Sequence, residues 1–436
     1  MKTTWLSACG VAALAAGAAH AGDLVIHAGA LIDGTSKTER AHVSILIHDD
    51  RIVGVRDGFV DAPAGGTVID LSGQTVLPGL IDCHDHITQS FHKGDPIRNA
   101  VTRTAFDAEI DAVNNARAEL MAGFTSIRDV GANTEVIVAL KRAVNAGEIP
   151  GPRMWVSGTP ISPTGGHGDP ANGLDPELTH PGWDNSIVDS PEAARRVVRT
   201  LRREGVDLIK IMPSGGVMSI GDDPKLQLMA DDEIKAVVDT AHALGLKVAA
   251  HAHGKLAIDH ALALGVDSIE HGTYGDAESY ALFKQHGAYF VPTMLVGAKV
   301  DQRARAHPED LNPSTAQKAL AAFPVMRRNL HDAYVAGVKI AFGTDTFGMS
   351  NHGENAQEFA LMVAAGMPPA EAIWSATHNA ADLMGDADDI GSIQAGRYAD
   401  IVAVDGDPLQ DVRVLETVKF VMKGGRIYKA EGKPVV

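Results

Sequence analysis

The stretch Leu77–His86, LPGLIDCHDH, decides how the rest of the chain is interpreted. Its apolar first half is typical of a buried β-strand, and residues two apart on a strand point to the same face. His84 and His86 are therefore expected to project together from the strand end. Neutral imidazole is the commonest protein ligand for zinc-like metals. One His-x-His pair is a weak signal, because solvated or buried structural histidines give the same pattern. Other segments must supply further ligands.

Length and composition are typical of a large globular α/β protein. The chain has 436 residues, 45% of them hydrophobic, and its 45 glycines fit an extensive core with many tight turns. A formal net charge of −17 argues against nucleic acid or an anionic membrane surface as a partner. No later segment has the roughly 20 consecutive apolar residues that a membrane span requires.

The first residues resemble a cleaved export signal. Lys2 precedes an apolar stretch from Val11 to Ala19, and Ala19-His20-Ala21 has the small-x-small pattern of a cleavage site. We therefore expect a signal peptide over residues 1–21 and an exported protein, either periplasmic or secreted. Cleavage would remove Cys9 and leave Cys83 as the single cysteine, so no intrachain disulfide is expected.

The two ends of the chain carry a different pattern from its middle. Alternating apolar and polar residues between turn signals predict a β-sandwich built from both termini, over residues 22–75 and 391–436. Residues 76–390 alternate short apolar strands with helical stretches, and eight such repeats predict a (β/α)8 TIM barrel. The predicted barrel strands are Val76–Asp82, Thr125–Asp129, Met154–Ser157, Leu208–Met212, Lys247–His251, Ser268–Glu270, Tyr289–Pro292 and Ile340–Gly343.

Polar side chains mark the ends of several predicted strands. In TIM barrels the catalytic groups lie at the carboxyl ends of the strands, so these side chains are expected to converge at one barrel mouth. Histidine and carboxylate are suitable ligands for a divalent transition metal. Besides His84 and His86, the side chains in question are Lys210, His251, His253, His271 and Asp345.

Lys210 needs a separate explanation, because an ammonium group has no lone pair and repels a metal ion. Its charged end could extend to the surface or pair with a carboxylate. Condensation with carbon dioxide would instead convert the amine into a carbamate, an anionic group whose two oxygens can bridge two metal ions. We favour the carbamate because Lys210 lies within an apolar strand beside the histidine cluster.

Motifs along the whole mature chain resemble the amidohydrolase superfamily, in its binuclear branch with a carboxylated lysine. They are Pro78–His86, Gly123–Asp129, Asp207–Ile211, His251–Gly254, Gly265–Gly272, Gly343–Thr346 and Gly391–Asp400. Ser162–Asp169 and Ser214–Met218 resemble one group in particular, the imidazolonepropionase-related dipeptidases of the Xaa-Pro type. Bacterial amidohydrolases that hydrolyse ochratoxin A belong to the same group.

The resemblance implies two divalent metal ions, most simply zinc. The implied ligands are His84, His86 and Asp345 for the first ion, His251 and His271 for the second, and a hydroxide and N6-carboxylated Lys210 between them. Asp345 would also act as general base and then as general acid. His251 and His253 share one face, so either could bind the second ion. The resemblance favours His251 and leaves His253 to hydrogen-bond the substrate carbonyl or stabilise the oxyanion.

Substrate-binding residues are marked less clearly. The candidates near the predicted barrel mouth are Gly215, Gly216, Val217, His167 and Thr88. Backbone amides at these glycines, and at Gly165 and Gly166, could approach a substrate carboxylate, although simple turns after strands explain them equally well. Val217, Met218 and Phe347 could form an apolar wall, but isolated apolar loop residues usually only pack.

These features predict a metal-dependent amidohydrolase that cleaves the amide bond of a dipeptide or an N-acyl amino acid. An aromatic acyl substrate such as ochratoxin A is a specific possibility. Cyclic-amide hydrolysis, deamination and lactone hydrolysis are alternatives on the same fold, but deaminases typically use one metal and lack the bridging lysine. A barrel that only binds would lack ligands, and no expected ligand position is vacant. The resemblance also implies a homo-oligomer, commonly an octamer.

Overall fold

The computed structural model describes residues 22–92, 102–172, 174, 175, 177 and 184–435. The predicted signal peptide at residues 1–21 therefore lies outside the described residues. Within those described ranges, none of the helices combines the length and apolar character needed to cross a bilayer.

The described residues form a mixed α/β structure. Its strands are β1 (Asp23–Leu31), β2 (Arg40–His48), β3 (Arg51–Asp57), β4 (Thr67–Pro78), β5 (Leu80–Asp85), β6 (Phe124–Asp129), β7 (Arg153–Val156), β8 (Leu208–Ile211), β9 (Lys247–Ala252), β10 (Ser268–His271), β11 (Tyr289–Val291), β12 (Lys339–Ile340), β13 (Ile401–Val404), β14 (Phe420–Lys423), β15 (Arg426–Ala430) and β16 (Lys433–Pro434). Its helices are α1 (Ala105–Met121), α2 (Thr134–Asn145), α3 (Pro191–Glu204), α4 (Asp231–Ala243), α5 (Lys255–Ala263), α6 (Ala277–His286), α7 (Met294–Ala306), α8 (Pro313–Val335), α9 (Gln357–Ala364), α10 (Pro369–Ser375) and α11 (His378–Met384).

Strands from both ends of the chain form one eight-stranded sheet, in the order β16-β15-β14-β13-β4-β1-β2-β3. Ile26, Ile45 and Ile401 belong to the apolar core of this sheet. The alternating pattern of residues 23–70 also predicts antiparallel pairing; β1, β2 and β3 pair in this way, but β4 runs parallel to β1. The strand order accounts for this, because residues 58–66 connect β3 at the edge of the sheet to β4 on the far side of β1 and must therefore cross both β2 and β1.

The middle of the chain forms the predicted barrel. Strands β5 to β7 and β8 to β12 make two parallel segments of a sheet. A parallel bridge between Ile161 and Ile211 joins the segments on one side. On the other side the Cys83 N–H donates to the Phe342 carbonyl at 2.8 Å. The ring of eight parallel strands is thereby closed, which confirms the TIM barrel with a β-structure built from both termini.

The first barrel strand begins later than the sequence pattern predicts. Residues up to Pro78 pair with β13, and β5 begins only at Leu80. Gly79 separates the two strands, and a Cβ atom there would lie 2.0 Å from Thr125 Oγ1. The chain therefore passes from one sheet to the other at a position that only glycine can occupy. The division into domains at residues 75 and 391 stays a prediction.

Candidate active site

The predicted metal ligands come from the carboxyl ends of five barrel strands. His84 lies in β5 and His86 follows it, Lys210 lies in β8, His251 in β9, His271 ends β10, and Asp345 follows β12. All of these side chains line one cavity of about 1260 Å³. The structure therefore brings together every residue that the sequence placed in the metal site.

His84, His86 and Asp345 form the first group of potential ligands. Asp345 Oδ1 lies 3.1 Å from His86 Nε2 and 3.5 Å from His84 Nε2. His251, His253 and His271 form a second group, in which one ligand atom from each lies within 4.8 Å of the others. His271 is also within 4.8 Å of His84 and Asp345 by the same measure, so the two groups adjoin.

Hydrogen bonds fix which ring nitrogen faces the cavity. Carboxylate and carbonyl oxygens only accept, so the ring nitrogen bonded to them must carry the proton. His84 Nδ1 donates to Glu270 at 2.8 Å, and His86 Nδ1 donates to the Gly131 carbonyl at 2.8 Å. His251 differs, because its Nε2 donates to the Gly215 carbonyl at 3.2 Å. In the neutral rings the lone pair is then on Nε2 of His84 and His86 and on Nδ1 of His251.

Burial keeps most of these imidazoles neutral, which is the form that binds metal. It lowers the pKa of His84 to about 4 and that of His253 to about 3, and it also lowers the pKa of His251 and His271. His86 is the exception. Burial opposes its charged form, but the hydrogen bond and charge of Asp345 outweigh burial and raise the pKa of His86.

Lys210 has the environment expected of a modified lysine. It is 1% exposed, and its amine has no hydrogen-bond or ion-pair partner within the described part of the chain. Burial lowers the pKa of Lys210 to about 8, so a larger fraction of the amine is neutral than in an exposed lysine. Imidazoles, one carboxylate and an unpartnered buried amine together fit a pair of divalent ions joined by a carboxylated lysine.

Three non-glycine residues at the site have left-handed backbone conformations. The φ angles are +69° at His271, +55° at Asp345 and +49° at Thr293. Such strain concentrates at functional sites. Thr293 lies 2.7 Å from His271 Nδ1 through its hydroxyl, and the buried Glu358 carboxylate accepts from the amides of Met294 and Leu295 next to it. The contacts of Thr293 and Glu358 thus stabilise the strained backbone next to His271.

Sequence reasoning missed the residues that support the ligands. Glu270 directly precedes His271 at a strand end, which is a visible signal, yet its bond to His84 comes from a different strand. Thr293 and Glu358 belong to no recognisable motif.

The predicted substrate residues divide into two sets. Thr88, His167 and Val217 line the cavity, and the His167 ring stacks on that of His251 with centroids 4.2 Å apart. The two glycines differ from the expectation. The Gly215 amide donates to Leu226 at 3.3 Å and the Gly216 amide donates to Asp222 at 3.2 Å, so neither is free for a substrate carboxylate.

A closed TIM barrel with histidines, a lysine and an aspartate at the strand ends is the arrangement found in TIM-barrel hydrolases that typically bind metals. The sequence profile of the amidohydrolase family matches residues 75–428, and the chain belongs to this family. Ochratoxinase from Aspergillus niger is 34% identical, in an alignment that covers 94% of this chain and 87% of that protein. Amidohydrolases typically bind metals, and the chain is a hydrolase that acts on amide bonds.

Solved structures agree with this assignment. A Xaa-Pro dipeptidase with methionine bound in its active site is 37% identical, with a TM-score of 0.90 over 94% of this chain and 100% of that one. A prolidase in complex with N-methylphosphonate-L-proline is 33% identical, with a TM-score of 0.85 over 94% of this chain and 100% of that one. The resemblance to Xaa-Pro dipeptidases and ochratoxin-hydrolysing enzymes is confirmed.

Proposed function

We propose that the chain is a binuclear metal-dependent amidohydrolase that releases an amino acid from a dipeptide or an N-acyl amino acid. The main support is the adjacency of the two ligand groups, because His271 of the second group lies within 4.8 Å of His84 and Asp345 of the first, beside the buried amine of Lys210. The similar proteins are consistent with an amino acid as product, because one is named a Xaa-Pro dipeptidase with bound methionine and another an ochratoxinase.

The ligand assignment follows the family resemblance, and in each assigned imidazole one ring nitrogen bonds to a residue outside the ligand set, which leaves the other for a metal ion. His84, His86 and Asp345 would hold one ion, His251 through Nδ1 and His271 would hold the other, and carboxylated Lys210 would lie between them. Zinc suits this mixture of imidazole and carboxylate. When bound, such a pair supplies a water of lowered pKa and a positive charge for the substrate carbonyl.

We assign the proton transfer to Asp345. Burial opposes its charged form, but the neighbouring imidazoles of His84 and His86 outweigh burial and lower the pKa of Asp345. Its carboxylate is therefore ionised at neutral pH and can accept a proton from the attacking water. The same carboxyl group then delivers this proton to the leaving nitrogen, as a general base followed by a general acid.

We assign stabilisation of the oxyanion to His253. Its Nδ1 lies 2.7 Å from the Thr273 hydroxyl, which can donate to it and so leave the proton on Nε2. A neutral imidazole with Nε2–H inside a buried site can donate to a developing negative charge. The ring is 4% exposed, so solvent competes little for that bond.

The decisive experiment is a panel of N-acyl amino acids, dipeptides, esters, lactones and cyclic imides assayed on metal-reconstituted enzyme. We expect two ions per chain by elemental analysis and amide hydrolysis with release of a free amino acid. Activity confined to esters, lactones or cyclic imides would contradict the proposal. One ion per chain together with ammonia release would instead identify a deaminase.

We also propose that the enzyme is exported and forms a homo-oligomer. The support for export is the signal-like sequence of residues 1–21. N-terminal sequencing of the protein after expression in a secreting host tests cleavage after Ala21. Light scattering of the purified enzyme tests the oligomeric state.

A further inference from the structure

One side of the cavity is formed by α7 and α8 and is entirely apolar. Among the described residues, these two helices contribute no charged or polar side chain to the cavity lining. The side chains that they contribute are Val296, Val300, Ala319, Ala322, Phe323 and Met326. We call this part of the cavity the apolar lobe.

The polar side chains of α7 and α8 have partners away from the lobe. Lys299 pairs with Glu354 at 3.4 Å. Lys318 donates to the carbonyl oxygens of Gly216 at 2.8 Å and Ser219 at 2.7 Å. No unpaired charge of these residues is therefore left to receive a charged group inside the lobe.

Small residues give the lobe its depth. Ala319 and Ala322 on α8 present only methyl groups to the cavity. Gly297 on α7 packs against the same helix, and a Cβ atom there would lie 3.0 Å from both Met326 Sδ and Phe323 Cδ2. Phe323 is only half-buried, so part of its ring is available for contact with a ligand.

The lobe adjoins the group that protonates the leaving nitrogen. The Val296 amide donates to the Thr344 carbonyl at 3.3 Å, and the next residue along the chain is Asp345. Phe347, which also lines the cavity, contacts the His86 ring edge-on, with centroids 6.3 Å apart. A substrate whose leaving nitrogen faces Asp345 therefore has its leaving group next to the lobe.

We propose, building on the function proposed above, that the apolar lobe binds the side chain of the leaving amino acid. The lobe selects bulky uncharged side chains, aromatic or long aliphatic, over small or charged ones. The small side chain of Ala322 leaves room for a bulky leaving side chain, because a larger residue at that position would fill the lobe.

The test compares N-acetyl amino acids that differ only in the leaving residue: phenylalanine, leucine, glycine and aspartate. We expect kcat/KM for phenylalanine and leucine to exceed that for glycine and aspartate by about 10-fold or more. Ala322→Leu should lower kcat/KM for the phenylalanine substrate about 10- to 100-fold and leave the glycine substrate within about 2-fold. Ala321→Leu, on the exposed face of the same helix, is the matched control and should match wild type.

A second variant keeps the test decisive if Ala322→Leu does not fold. Phe323→Ala removes the aromatic wall, so it should raise the preference for a naphthylalanine substrate over phenylalanine. Equal kcat/KM of the wild-type enzyme for all four leaving residues would overturn the proposal. An equal loss of kcat/KM on every substrate in Ala322→Leu, with unchanged circular dichroism and metal content, would also overturn it.

Direct binding separates this proposal from the proposed function. Calorimetry of L-phenylalanine and glycine on metal-loaded protein should show tighter binding of phenylalanine, and Ala322→Leu should abolish the difference. If no amide is hydrolysed but this preference is found, the lobe is supported and the proposed function fails. Equal binding of both amino acids would refute the lobe even in an active enzyme.

Discussion

His84 Nδ1 donates a hydrogen bond to Glu270 Oε2 at 2.8 Å, and both side chains are buried. Arg128 donates to the other carboxylate oxygen at 2.7 Å. Burial alone would favour the neutral acid, but Arg128 and the bond from His84 outweigh it and lower the pKa of Glu270 to about 2. Glu270 therefore stays ionised and orients His84 with Nε2 towards the cavity.

Glu270→Gln is expected to weaken metal binding, because an amide orients His84 less firmly than a carboxylate and lowers the basicity of its ring. The expected loss is about 10- to 100-fold in zinc affinity, measured by competition with a chelator. Glu278→Gln, a change at an exposed side chain, serves as control. Unchanged affinity in Glu270→Gln would show that this bond does not support the site.

Lys210→Ala is expected to lose both bound metal and activity, because the variant lacks the amine on which the proposed carbamate would form. Acetate or propionate should restore part of both by supplying a carboxylate in the space left by the side chain. Lys235→Ala, on an exposed helix face, should behave like wild type. Wild-type turnover in Lys210→Ala would remove the carbamate from the mechanism.

The buried amine also predicts a pH dependence in the metal-free protein. Burial lowers the pKa of Lys210 from 10.5 to about 8, so between these values the unfolded chain binds more protons than the folded one. The free energy of unfolding contributed by this group should therefore rise with pH across that window. Urea unfolding of wild type and Lys210→Met, with a chelator present, should show a flatter pH profile for the variant. Parallel profiles would contradict the expected shift.

His251 and His253 should respond differently to substitution. Because the Gly215 carbonyl occupies Nε2 of His251, only Nδ1 remains to bind metal. His251→Asn is expected to bind about one ion per chain fewer. His253→Asn should keep its full metal content and lose about 100- to 1000-fold in kcat, the cost of one oxyanion donor. The reverse pattern of metal loss would make His253 the ligand.

Lys318 is expected to stabilise the loop of residues 214–222, which contacts His167 through Ser219. Its ammonium donates to the carbonyls of Gly216 and Ser219, and Ser219 lies 2.8 Å from His167 Nδ1. Lys318→Met should cost about 1–3 kcal/mol locally, speed amide exchange across residues 214–222 and raise KM, with metal content unchanged. Lys235→Met is the control, and identical exchange in the two variants would exclude this role.

The sequence was sufficient for the barrel and for the residues at its mouth. The carboxyl ends of parallel barrel strands lie at one face of the barrel. A polar residue at the end of an apolar strand, such as His84 after Ile81 or Lys210 after Ile209, can therefore be assigned to the barrel mouth from the sequence alone. The parallel pairing of β1 and β4 could not be predicted, because it depends on where a connection passes and not on local alternation.

The supporting contacts were also beyond sequence reasoning. Glu358 binds amides in α7, and Gly297 packs on Phe323, so each depends on two segments that only tertiary packing brings together. The amides of Gly215 and Gly216 show the converse. Their sequence fits an anion-binding turn, yet the folded loop uses both amides internally.

The position of β4 between β1 and β13 has a consequence for biosynthesis. Thr75 lies opposite Val404, so two strands that are neighbours in one sheet are separated in the sequence by the entire barrel. During translation β4 has an unpaired edge until the ribosome has released almost the whole polypeptide, and pairing of such distant segments is slow. A nascent or truncated chain that ends before β13 therefore exposes unpaired backbone N–H and C=O groups along the edge of β4. Such an edge can pair with other chains and aggregate, so the yield of folded protein will depend on chaperones that cover it.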